Sequence, residues 1–204
     1  MKPPSKGDSW NTGIKDAPVA ITEYDPAWPS QFERERELLA ATLQEWSDGP
    51  IEHVGSTAVP GLPAKPVIDI MVAVRSLDAS RGAIPALTPL GYLYAPYHAD
   101  VMHWFCKPSP AFRTHHLHLV PFGSLLWTER LDFRDHLRRN PTVAAEYAEL
   151  KRRLAKEHEF DREAYTEAKG PFIRHVLDLA RTVPRSGTPF NQPVQPTPAR
   201  GPRG

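Results

Sequence analysis

Residues 51–74 read IEHVGSTAVPGLPAKPVIDIMVAV, and the rest of the chain can be placed around them. Ile51 to Val54 is a short strand signal. Gly55, Ser56 and Thr57 then form a turn. A loop with Pro60, Gly61, Pro63, Lys65 and Pro66 leads into a second apolar run, Val67 to Val74. That run is rich in β-branched residues, as strands are, and one acid, Asp69, interrupts it. A carboxylate is costly to bury unpaired, so Asp69 needs a partner, and a metal ion or a cationic ligand is the commonest. Ahead of it, a glycine lets backbone approach a ligand, and successive turn N–H groups can cradle phosphate oxygens. The Ser56 and Thr57 hydroxyls could add bonds. An isolated Gly-Ser is an ordinary turn; Asp69 after the next loop favours the binding reading.

Outward from this stretch, residues 115–120, HHLHLV, alternate like a strand. His116 and His118 then share one face, with His115 on the other. With Asp69 they make a two-histidine, one-carboxylate set, better suited to Zn²⁺, Mn²⁺ or Fe²⁺ than to Mg²⁺. His53 is a candidate for the same cluster. Lys65, Arg113, Lys169 and Arg174 could contact phosphate or carboxylate, with surface solvation the alternative for each. Trp104, Trp127 and Tyr97 could stack on a base, although core packing suits them better. Cys106 is the sole cysteine, which excludes an intrachain disulfide and a multi-cysteine zinc site. Neither a phosphate-binding Gly-x-x-x-x-Gly-Lys-Ser/Thr loop nor a Gly-x-Gly-x-x-Gly fingerprint occurs.

The chain of 204 residues has a net charge of +1. Residues 1–17 carry +1 and residues 184–204 carry +3, leaving −3 on residues 18–183. A mildly acidic core argues against broad nucleic-acid binding. The N-terminus does not read as a signal peptide, and no apolar run approaches the ~20 residues of a membrane span. A soluble, cytoplasmic protein is expected. Residues 1–17 read as a disordered tail, as do residues 184–204 with six prolines, and residues 18–183 read as one domain.

Within that domain, strands are predicted at 19–24, 51–54, 67–74, 92–98, 101–107 and 115–120. A helix is predicted from Asp25-Pro26 with a stripe of Phe32, Leu39, Leu43 and Trp46, and a broken one follows Ser76, interrupted by Pro85 and Pro89. Further helices start near Leu125, at Asn140-Pro141 and at Asp161, the last broken near Lys169-Gly170. Strands with interspersed helices, then a run of helices, give an α+β class.

Residues 53–70, HVGSTAVPGLPAKPVIDI, resemble the GrpB family, a group assigned to the nucleotidyltransferase (DNA polymerase β-like) superfamily. The likeness continues through Arg113 to Leu119, Phe133-Arg134-Asp135 and Ala168 to Ile173, covering roughly residues 19–183. It implies a nucleotidyltransferase-like mixed β-sheet with flanking helices and a helical C-terminal part. It further implies metal-dependent nucleotidyl or phosphoryl transfer, with Asp69, Ser56 and Lys65 in catalysis. Gly55, Ser56, Thr57, Lys65, Arg113 and Lys169 would bind a nucleotide or other phosphorylated small molecule. Asp69, His116 and His118 would hold a divalent metal, Mg, Mn or Zn, the histidines standing where the superfamily places a third acid. The superfamily also expects an acid two residues after Asp69, where this chain has Met71. Two other readings follow: a non-catalytic binding or folding-helper module, as in fusions to dephospho-CoA kinase, or a metal-dependent phosphoester hydrolase.

Overall fold

The structure, a computed structural model, describes residues 17–182. Its sheet has strands β1 (Ser47–Val54), β2 (Ile68–Val74), β3 (Leu93–Ala95), β4 (His103–Pro108) and β5 (Arg113–Pro121). Their spatial order is β1-β2-β5-β4-β3. The central pair β2–β5 is parallel and the other pairs are antiparallel. A parallel strand covered on both faces reads as a continuous apolar run. In β2 every residue but Asp69 is buried.

Strand parity divides the molecule. One face presents Ile68, Ile70, Val72 and Val74 with Leu117, Leu119 and Phe105. Helix α1 (Trp28–Thr42) covers it through Trp28, Phe32 and Leu39. The opposite face presents Val54, Met71, Ala73, Trp104, Cys106 and Val120 to Trp127. Trp127 lies on α3 (Leu125–Arg139), against which α4 (Pro141–Glu157) and α6 (Gly170–Thr182) pack, with α5 (Arg162–Ala168) joining these two. The expected mixed sheet of α+β class with flanking helices and a helical C-terminal part is therefore present.

Several helix signals act as expected. Ser124 and Asp161 cap α3 and α5 by accepting the N–H of Trp127 and Ala164. Asn140-Pro141 opens α4, and α5 gives way to α6 at Lys169-Gly170. After Ser76 only a four-residue helix, α2 (Ala83–Ala86), survives the prolines.

Three expectations fail. Residues 19–24 make no strand, only a bridge between Thr22 and Ala64, because Val19 packs with Leu154, Ala155 and Tyr165 in the helical layer. Helix α1 starts at Trp28 rather than at Pro26: Asp25 accepts the Ala27 N–H at 2.8 Å, and Pro29 supplies the first-turn proline. Trp46 thus falls beyond its end. The predicted 92–98 strand shrinks to Leu93–Ala95, and the turn before β4 is wide, with His98 at φ 49°. The expectations for residues 1–16 and 183–204 lie outside the described residues. Among the described residues no helix is long and apolar enough to cross a membrane.

Candidate functional site

The parallel register sets Asp69 beside His116 and Met71 beside His118, all on the face that α3 covers. His116 Nδ1 lies 2.9 Å from Asp69 Oδ1, and His118 Nε2 lies 3.8 Å from the same oxygen. The first is a hydrogen bond and the second is too long to be one. His118 Nδ1 meets Met102 Sδ at 3.3 Å. His116 Nε2 and His118 Nε2 are buried without a hydrogen-bond partner. One donor atom from each of the three residues falls within 4.8 Å of the others. Buried polar atoms are ordinarily satisfied, so two orphan imidazole nitrogens beside a carboxylate fit a cation.

The electrostatics agree. Burial lowers both imidazoles against the pull of Asp69, His118 to about 4. Burial works against ionised Asp69 too, but contact with the two histidines outweighs it and holds the carboxyl well below its usual range. At neutral pH the set is one carboxylate and two neutral imidazoles, the protonation state that binds a metal.

The turn is built onto this cluster. Val54 pairs with Asp69, so the chain leaves β1 at the acid. Gly55 has φ 72° and ψ −170°, a conformation almost confined to glycine. A Cβ there would collide with the Asp69 carboxylate and come within 3.0 Å of its Cβ. Turn and acid, fourteen residues apart in sequence, are thus in contact. The Ser56 side chain lies near enough to the Tyr147 hydroxyl to oppose the rise that burial gives it.

Thr57 and His53 do not join them. The Thr57 hydroxyl donates to Val67 O at 3.1 Å and lies 3.0 Å from His53 Nε2, and the residue is 1% exposed. His53 stacks on Phe32 at 4.7 Å under α1. The cause is parity: Val54 shares the Asp69 face, so His53 must point away. The Thr57 hydroxyl is thus engaged with the Val67 carbonyl and His53, and the structure does not bring His53 to Asp69, His116 and His118.

Cationic groups surround the acid. Lys65 and Arg113 both depress His116 through their charge. Arg113 lies over the Trp104 ring at 5.2 Å and donates from Nε to Pro110 O at 2.7 Å. Lys169, at the α5–α6 break, sits 4.2 Å over the Tyr165 ring. Burial lowers it to about 8, against the attraction of Asp69. Trp104 and Trp127 are buried walls, whereas Tyr97 is 40% exposed. Cys106 is buried, and burial pushes its thiol up.

Arg130 and Tyr147 did not stand out in the sequence. Arg130 of α3 bears electrostatically on His118 and Lys169, and Tyr147 of α4 meets Ser56. Spacing held a partial signal, since Arg130, Arg134 and Arg138 recur every four residues. A groove of about 1070 Å³ lies between the 59–63 loop and α4, and its walls include none of Asp69, His116 and His118.

Comparison with known proteins follows this geometry. A family model described as GrpB protein matches residues 18–179. A UPF0157 protein of Pseudomonas aeruginosa is 38% identical, over 88% of this chain and 74% of that one. The glutamate-rich protein GrpB of Alkalihalophilus pseudofirmus is 33% identical, over 81% of this chain and 98% of its own. A dephospho-CoA kinase of Mycolicibacterium paratuberculosis is 30% identical over 82% of this chain, but the match spans only 47% of that longer protein. The crystal structure of conserved protein GrpB from Enterococcus faecalis superposes with a TM-score of 0.72 at 36% identity, covering 79% of this chain and 96% of that one.

Proposed function

The chain belongs to the GrpB family, and from that premise we propose that it is a metal-dependent enzyme of the nucleotidyltransferase type, moving a nucleotidyl or phosphoryl group. The observation that carries this reading is the convergence of Asp69, His116 and His118 within 4.8 Å, with Gly55 pressed against the acid.

A divalent ion bound there would neutralise phosphate charge and polarise the phosphorus under attack. Asp69 with His116 and His118 would hold it, and the imidazoles favour Mn²⁺ or Zn²⁺ over Mg²⁺. Met71 is 1% exposed on the same face, where a second acid would serve a two-ion site, so the reading is of one ion. Lys65, Arg113, Lys169 and Arg130 would bind and orient the anionic phosphates, and the Ser56 hydroxyl with the turn backbone would receive one phosphate. The Tyr165 ring, 4.2 Å below the Lys169 ammonium, would hold that charge in place. The substrate is a nucleotide or a related phosphorylated small molecule in a cytoplasmic setting; the acceptor is not specified by these residues.

The buried Met71, together with relatives named dephospho-CoA kinase, favours a second reading: a binding or folding-helper module that keeps the pocket without turnover. Melting the protein with ATP, GTP, CTP, UTP and CoA precursors, each with and without Mg²⁺, Mn²⁺ and Zn²⁺, tests the first. Saturation to ~100 times Kd adds about 2.7 kcal/mol of stability. Metal-dependent stabilisation by a nucleotide is expected, with release of pyrophosphate if a nucleotidyl group is transferred or of the nucleoside diphosphate if a phosphoryl group is. Stabilisation without turnover supports the module, and no response to any metal opposes both.

A further inference from the structure

One helix holds both ends of the Gly55–Ser56 turn. On the strand side, Arg134 Nη1 donates to His53 O at 3.0 Å. On the far side, Arg138 Nε and Nη2 both donate to Ala58 O, at 2.9 and 2.7 Å. The two arginines are four residues apart, so they stand one turn apart on the same face of α3. The turn's own backbone bonds are long, Ala58 N to Gly55 O at 3.3 Å and Val59 N to Ser56 O at 3.2 Å.

Arg134 is itself fixed, with Nη1 at 2.7 Å from Glu52 Oε2 and Nε at 2.7 Å from Asp135 Oδ1. A planar guanidinium can hold one carbonyl through two N–H groups at a set angle, which an ammonium cannot do. The turn must be held closely, because Gly55 touches the Asp69 carboxylate and has no slack in that direction.

We infer that Arg134 and Arg138 are positioning residues, clamping the carbonyls on either side of the Gly55–Ser56 turn and so setting where a phosphate is received beside Asp69. The phosphate part rests on the function proposed above, whereas the clamp stands on its hydrogen bonds. Arg130, one turn earlier at the same spacing, brings the helix's next charge toward His118, so a shift of α3 would move clamp and site together.

The variants Arg138→Gln, Arg138→Lys and Arg134→Lys are compared with the wild type by hydrogen exchange, by melting with Mn²⁺ alone and by ATP titration with Mn²⁺ present. In Arg138→Gln, peptides covering residues 54–59 should exchange about tenfold faster by local opening while β2 and β5 keep wild-type rates. Its Mn²⁺-induced melting shift should be unchanged, and its Kd for ATP should rise about tenfold. The lysine variants should fall between, each keeping a cationic donor without the planar fork. Wild-type exchange at 54–59 with wild-type ATP affinity in Arg138→Gln overturns the inference. So does exchange that quickens uniformly, with Mn²⁺ and ATP responses lost together and lysine no better than glutamine. If the wild type ignores Mn²⁺ and ATP while exchange at 54–59 still quickens, the clamp stands and the proposed function fails.

Discussion

Two acids with little exposure, one on each face of the sheet, are treated differently. Under α1, Glu35 is 6% exposed, and its Oε1 accepts from Tyr92 Oη at 3.0 Å and from Lys107 Nζ at 2.6 Å. The fold supplies that carboxylate with donors and a counter-charge. On the other face, the nearest side chains to Asp69 are imidazoles kept neutral by burial, two of whose nitrogens have no partner. The first acid has an ammonium and a hydroxyl in contact, whereas the second has one imidazole hydrogen bond and two further imidazole nitrogens left without a partner, a set that suits a cation. Burial therefore does not separate these two carboxylates; the character of their neighbours does.

The contrast breaks most easily at Glu35. Glu35→Ala leaves the Lys107 ammonium without its acid and should cost about 3 kcal/mol, read from urea unfolding. A loss smaller than that of a typical surface substitution would show that this pair is not structural. Gly55→Ala comes next, at about 2 kcal/mol, for its backbone conformation and its collision with Asp69. The same change in an Asp69→Ala background should cost less, and a cycle with no coupling would separate the turn from the acid.

A smaller effect concerns Lys151, which is 2% exposed, donates to Pro63 O and lies 4.9 Å over the Tyr147 ring. Burial, with help from Lys169 and Arg152, lowers it to about 7. In the unfolded chain lysine titrates near ~10.4. Between these values the unfolded chain binds more protons, so stability should rise with pH from about 7 to 9. Lys169, lowered to about 8, adds to the slope at its upper end. Lys151→Met should flatten most of the rise below pH 8 without loss of stability. A stability that falls with pH in the wild type over this range would contradict the assignment.

The contrast between the two acids was half legible. Asp69 stood out because an acid in a β-branched run is costly, and His116 with His118 because period-2 spacing fixes their common face. Gly55 was legible as a turn, but its contact with the acid depends on Val54 pairing with Asp69. That same pairing sends His53 and the Thr57 hydroxyl the other way, which spacing across a turn does not encode. Arg130, Arg134 and Tyr147 come from helices docked from far along the chain, and on an amphipathic helix an arginine reads as solvated face until its neighbour is known. Residues 19–24 look like a strand because they are apolar and short, yet Val19 enters the helical layer instead. Nothing in the sequence around Glu35 marks it as buried, since its partners Tyr92 and Lys107 are 57 and 72 residues away.

The claim that Asp69 awaits a cation is tested most directly by titrating Mn²⁺ and Zn²⁺ calorimetrically into the wild type and into Asp69→Asn, with melting of both metal-free forms. Asn keeps the shape and removes the charge. The account predicts loss of metal binding in the variant, with some loss of metal-free stability, because contact with the histidines favours the ionised carboxyl in the fold. An Asp69→Asn protein that still binds metal like the wild type would contradict it and make Asp69 a structural acid of the Glu35 kind.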